Sequence, residues 1–214
     1  MDPDVVEKLE KFFTKYKPQK YKKGEILVRA GDNPLGVFYL TEGYIKKYAI
    51  SQKGDELVVN IFKPISFFPM SHAINNSPND YYYEAAVPVT VYRAPNSEVV
   101  KFVKENPDVL YDLISRVYRG TDGMLAKMTY LMAGSAYDRL ITELVIHAKR
   151  FGIREGNTIE LKVSEKDLAA QSGLTRETVS REIKILKDKG LLILGKSIQI
   201  PDISKLEGEL LEDI

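Results

Sequence analysis

The sequence contains no cysteine, only two histidines and almost no net charge: 31 Lys and Arg stand against 30 Asp and Glu. Without cysteine there is no disulfide framework, no thiolate metal site, no cysteine-ligated iron–sulfur cluster and no cysteine nucleophile. His72 and His147 lie far apart in the chain. A His-rich metal site is thereby excluded, and a Ser–His triad would have to use one of these two. No apolar run approaches bilayer length, and the opening MDPDVVEKLEKFF lacks the basic stretch and apolar run of a secretory signal. The expectation is a cytoplasmic chain with no membrane partner. There is no P-loop, no GxSxG and no metal-ligand cluster, so an enzyme is not expected.

What is present is ordinary for a globular chain: 214 residues, 44% apolar and 29% charged. That is enough for one large or two small domains with real cores. Charge is unevenly spread. Residues 1–134 carry 18 basic and 16 acidic side chains, residues 135–200 carry 12 and 9, and residues 201–214 carry 1 and 5. The middle excess is too mild to establish nucleic-acid binding alone.

Residues 4–16 have apolar positions at helical spacing, and Lys17-Pro18 ends them. From 21 to 92 the texture changes to short runs punctuated by Gly24, Gly31, Gly36, Gly43 and Gly54. Runs 25–29, 37–40, 44–51, 57–62, 82–86 and 89–93 read as strands, and their close spacing predicts a small antiparallel barrel or roll. Asn106-Pro107-Asp108 then opens a long helix, with Asn as cap and Pro at the first position. Leu110, Val117, Met124 and Leu131 recur every seven residues, with Ile114, Thr121 and Met128 between them. That two-position seam predicts a partner helix, most simply a second copy; packing on the chain's own roll is the other reading. Gly134-Ser135-Ala136 breaks the helix and starts another. A strand over 158–163, two helices and a hairpin over 191–200 follow; the acidic tail 202–214, with Leu206, Leu210 and Leu211, reads as a marginal helix.

The stretch 164–192, SEKDLAAQSGLTRETVSREIKILKDKGLL, is the most informative. Ser164 caps a short helix, with Asp167 in capping-box position. Ala169, Gly173 and Val179 have helix-turn-helix spacing: a small contact residue, a tight turn and a wedge between the helices. Thr175 caps the second helix, whose buried stripe is Val179, Ile183 and Leu186. Arg176, Glu177, Ser180, Arg181 and Lys184 share an arc of roughly 140° clear of that stripe. Arg offers a fork to guanine O6 and N7, and Glu accepts from cytosine N4. Salt bridges on a surface helix would explain these charges equally well, were it not for the cap, turn and hairpin around them.

Residues 20–200 resemble the cyclic-AMP receptor protein/FNR (Crp/Fnr) family of bacterial transcription regulators. The resemblance rests on the glycine-spaced KKGEILVRAGDNPLGVFYLTEGYIKKYAISQKGDEL, on NPDVL at 106–110 and on TRETVSR at 175–181. It implies that Arg176, Glu177, Ser180 and Arg181 contact bases, and that the half-site is TGTGA-like or TTGAT-like. Ser164, Thr175, Lys184 and Lys196 are the expected phosphate contacts. Glu182 departs from the family, which often has an apolar residue there. The family's cyclic-nucleotide branch cradles phosphate with a Phe-Gly-Glu turn and an Arg. Here Phe68 and Pro69 stand at the turn, Asn79 and Asp80 near the Arg position, and no Arg occurs between Lys63 and Tyr92. Cyclic AMP is therefore not expected. The cysteine-ligated cluster of the FNR branch is excluded, and a haem would have only His72, expected in a loop.

The expected protein is thus α+β: a cyclic-nucleotide-binding-like β-roll (1–106), a dimerisation helix and hinge (107–134), a winged helix-turn-helix (135–201) and an acidic tail (202–214). Phe67, Phe68, Tyr82, Tyr83, Met124 and Leu125 are candidates for an aromatic effector pocket; the alternative is that the rings fill the roll. No cofactor is expected. The partners are double-stranded DNA carrying an inverted repeat, a second copy, and RNA polymerase if the protein activates. The competing function is a small-molecule-sensing or protein-interaction roll with a vestigial DNA-binding domain.

Overall fold

The computed structural model describes residues 2–52 and 54–210, without the side chains of Ala126, Lys127, Tyr130, Leu131 and Ala133. Two compact units divide at Gly120. The first begins with α1 (Pro3–Phe13), capped by the Asp2 carboxylate. Then come β1 (Pro18–Tyr21), β2 (Ile26–Val28), β3 (Gly36–Glu42), β4 (Ile45–Ile50), β5 (Glu56–Phe62) and β6 (Ser66–Phe68). Helix α2 (Met70–Asn75), β7 (Tyr82–Ala85), β8 (Val89–Pro95) and α3 (Asn96–Glu105) follow. Two antiparallel four-stranded sheets, ordered β1-β8-β3-β6 and β2-β7-β4-β5, make the roll.

Strand β3 explains why this unit holds together. All residues from Gly36 to Leu40 are buried, because both faces of the strand are covered. Val37 and Tyr39 point to α1 and α3, where they join Leu9, Phe13, Phe67 and Val99. Phe38 and Leu40 point into the roll with Ile45, Phe68, Tyr83 and Val91. Successive side chains on opposite faces yield an unbroken apolar run when neither face meets water. Gly43 turns β3 into β4 at φ +83°, and a Cβ there would meet the Pro88 carbonyl oxygen at 2.4 Å.

Helix α4 (Pro107–Ala133) crosses the division. Its start is tied to the first unit. Lys8 pairs with Asp108 at 2.6 Å, the Arg116 guanidinium donates to the Ile65 carbonyl at 2.7 Å, and Val109 is fully buried. Asn106 stands where α3 meets α4: its backbone carbonyl accepts from the Leu110 N–H at 3.0 Å, and its side-chain amide donates back to the Phe102 carbonyl at 2.8 Å, closing α3.

The second unit contains α5 (Ala136–Phe151), β9 (Ile153–Glu155), β10 (Thr158–Leu161), α6 (Glu165–Ser172), α7 (Arg176–Asp188), β11 (Ile193–Leu194), β12 (Ile198–Ile200) and α8 (Ile203–Gly208). Its sheet order is β11-β12-β10-β9. Leu140, Ile141, Leu144, Leu161, Leu168, Leu186 and Leu206 are fully buried in one core.

Several expectations need correcting. The first helix stops at Phe13, with Thr14 as its cap. The expected strand over 158–163 ends at Leu161. Strands β1, β6 and β9 and helices α2 and α3 are not foreseen by the sequence pattern. The tail does form a short helix, α8, as expected, and it buries Leu206 completely; Leu211 lies outside the described residues. His72 is on α2 rather than in a loop, buried, with Nδ1 2.8 Å from the Ser77 carbonyl.

Candidate nucleic-acid interface

Helix α6 starts with a full capping box. The Ser164 hydroxyl accepts from the Asp167 backbone N–H at 3.1 Å, and the Asp167 carboxylate accepts in return from the Ser164 backbone N–H at 3.3 Å. Such a box satisfies two N–H groups that the first turn leaves without partners. Gly173 closes α6 at φ +66° with Ala169 almost fully buried, so the chain turns tightly there. Thr175 caps α7, accepting from the Thr178 N–H at 3.2 Å. Val179, Ile183 and Leu186 face the core. Helix α7 is thereby fixed from inside and leaves its other side to solvent.

That side is the one the sequence predicts. Arg176, Glu177, Ser180, Arg181 and Lys184 are all exposed on it. The Glu177 backbone N–H, the Thr175 hydroxyl and the Arg176 charge hold the Glu177 carboxyl below its ordinary pKa, so it is an ionised acceptor at the helix start. Lys196 is exposed in the β11–β12 turn, which the Gly195 N–H to Ser197 carbonyl bond closes at 3.1 Å. The Ser164 and Thr175 hydroxyls hold the two helix starts, so both sit beside backbone N–H groups. Glu182 is the surprise. It lies on the buried stripe at 6% exposure, and its Oε1 accepts from Arg181 Nε and Nη2 at 3.1 and 2.9 Å.

The effector candidates of the first unit are not brought together. Phe67 packs toward α1, at 6.4 Å from the Phe13 ring. Phe68 and Tyr83 stack in the roll at 5.3 Å and 4°, with Phe62 against Phe68 at 4.7 Å. Tyr82 is on the opposite face of β7, stacked on Tyr48 at 5.2 Å. Met124 and Leu125 belong to the other unit and are exposed. An open concavity of about 240 Å³ instead forms between Leu27, Asp32, Leu35, Phe38 and Arg93. Asn79, near the Arg position expected from the resemblance, is buried and donates to the Arg29 and Tyr81 carbonyls at 2.7 and 2.9 Å. These two bonds tie the loop. Sequence reading missed Lys47, whose ammonium lies 3.9 Å from the Tyr81 ring centroid and 5.7 Å from that of Tyr83; burial pushes its pKa down. A Lys-Lys pair in a strand gives no sign of which one turns inward.

Along α4, Ile114, Val117, Thr121, Met124 and Met128 are exposed, as are Tyr111, Tyr118, Leu125 and Met132. Leu110 is half-buried against its own unit's core, and the Leu131 side chain lies outside the described residues. Among the described residues no helix is long and apolar enough to cross a membrane.

The cyclic nucleotide-binding domain family matches residues 18–106, and the Crp-like helix-turn-helix domain family matches residues 138–209. The global nitrogen regulator of Nostoc sp. is 30% identical over 186 residues, covering 83% of this chain and 82% of its own. The cAMP-activated global transcriptional regulator CRP of Pasteurella multocida is 21% identical over 201 residues, 92% of this chain and 96% of its own. A solved CRP/FNR-family regulator from Thermus thermophilus superposes with a TM-score of 0.75 at 24% identity, covering 92% of this chain and 99% of that one. With a roll, a long helix and a winged helix-turn-helix in this order, the chain belongs to the Crp/Fnr family of DNA-binding transcription regulators and is not an enzyme.

Proposed function

We propose that the protein is a cytoplasmic homodimer that reads an inverted repeat, and that its effector is not a cyclic nucleotide. The exposed face of α7 carries the first part. Arg176 and Arg181 read guanines, Glu177 a cytosine on the opposite strand, and Ser180 an adjacent base, while Ser164, Thr175, Lys184 and Lys196 meet phosphates. In a dimer, two copies of α7 enter successive major grooves about 34 Å apart.

The apolar face of α4 supports the dimer. Ile114, Thr121 and Met128 form its middle; Val117 and Met124 flank one side, Tyr118 and Leu125 the other, within roughly 120° of arc. A monomer rarely exposes an apolar stripe of this length. Val117→Glu with Met124→Glu would bury like charges at the two-fold seam, costing several kcal/mol. Sedimentation should show a wild-type dimer at micromolar concentration and a folded monomer for the double variant. A stable wild-type monomer would contradict the dimer.

The Pasteurella relative is cAMP-activated by its name, but the residues here speak against that ligand. Phe68 is core, Pro69 has no N–H to give a phosphate, and the Asn79 amide is spent on backbone carbonyls. RNA polymerase is a partner if the protein activates.

A further inference from the structure

Position 182 belongs to the buried stripe of α7, three residues after Val179 and four before Leu186, where an apolar side chain would suffice for the core. A carboxylate there costs free energy unless it is partnered. Its partner is the neighbouring Arg181, whose own side chain is 66% exposed while that of Glu182 is 8% exposed. Both bonds use one edge of the guanidinium, Nε–H and one Nη2–H. The remaining end carries both Nη1 N–H groups and the second Nη2–H, and this end is a fork spaced for guanine O6 and N7.

We propose that Glu182 is a positioning residue for base recognition: it holds the Arg181 guanidinium by one edge so that the other is presented to guanine. This rests on the reading of Arg181 as a base contact. A long side chain free in solvent loses rotamer freedom when it binds, and a wrong base is rejected only if the fork cannot swing aside. A buried carboxylate on a rigid helix supplies that restraint before DNA arrives. The opposite consequence of the same bond would be a latch, in which Arg181 must leave Glu182 to bind. Removing the negative charge also raises affinity for every sequence, so affinity alone does not separate these. The ratio between two duplexes does.

The test uses the full chain and two duplexes: the selected site, and the same site with the guanine–cytosine pair assigned to Arg181 replaced by adenine–thymine. Glu182→Leu should lower the guanine preference about three- to tenfold, the ordering cost of one long side chain. Glu182→Gln, whose amide oxygen still accepts, should lower it about twofold and keeps the test alive if the leucine variant does not fold. In an Arg181→Ala background, Glu182→Gln should leave the ratio unchanged, which a merely structural role would not require. An unchanged or raised preference in both single variants overturns the positioning role. If Arg181→Ala itself leaves the preference intact, the assignment of Arg181 to a base fails instead, and the proposal falls with it.

Discussion

At the residue scale, the contacts on α7 and the wing divide by what they can read. Arg181→Ala should cost about 1–3 kcal/mol on the selected site and relax the choice at one base pair. Lys196, exposed in the wing turn, is proposed to meet a phosphate, which is the same for every base. Lys196→Ala should weaken all duplexes about equally and lower the slope of log affinity against log salt by about one unit. Titrations of both variants at several salt concentrations separate the roles. Residue identity alone went far here, because helical geometry puts Arg176, Glu177, Ser180 and Arg181 on one side whatever surrounds them. It did not show that Glu182 would hold Arg181, since a carboxylate on an apolar stripe reads as a packing defect until its partner is seen.

At the element scale, α8 shows how the acidic tail closes the second unit. Glu209, just past this helix, receives the Lys189 ammonium and the Tyr137 hydroxyl, both at 2.5 Å. The hydrogen bond from Lys189, then that from Tyr137, holds the Glu209 pKa below its ordinary value. A depressed folded pKa means stability present above the unfolded value and lost as pH falls through the folded one. Glu209→Gln should therefore lower the unfolding midpoint at neutral pH by an amount worth at most about 1 kcal/mol, since Lys189 is half exposed. The difference from wild type should shrink below about pH 4. A pH series of thermal unfolding curves checks it; a difference that persists in acid would contradict the linkage. The elements the sequence hid are those with weak local signals. Strand β6 has three residues, and α3 follows Pro95 with no side-chain cap. Strand β1, PQKY, has its place only because β8 pairs with it from Tyr92 to Val89. By contrast, Ser164 with Asp167, Gly173 and Thr175 are local devices, and each is where its spacing predicts. The roll's own effector candidates do not converge, for a related reason: alternation on β7 sends Tyr82 and Tyr83 to opposite faces, and Phe62, Phe68 and Tyr83 stack inside the roll.

At the scale of the whole molecule, the proposal joins a roll that takes no cyclic nucleotide to a DNA-binding unit whose α7 face reads bases. Calorimetry with cyclic AMP should detect no micromolar binding, and cyclic AMP should leave the affinity for DNA unchanged; heat of binding to the roll at micromolar ligand would contradict this. The dimer and the symmetry of its target are one claim, because two α7 helices related by a two-fold axis can only be matched by two half-sites so related. Selection of the full chain against a pool of random duplexes tests that claim most directly. The account predicts enrichment of an inverted repeat whose half-site centres lie about 10 base pairs apart, with guanines at the Arg positions. Enrichment of a site without two-fold symmetry, or no enrichment over random DNA, would contradict it.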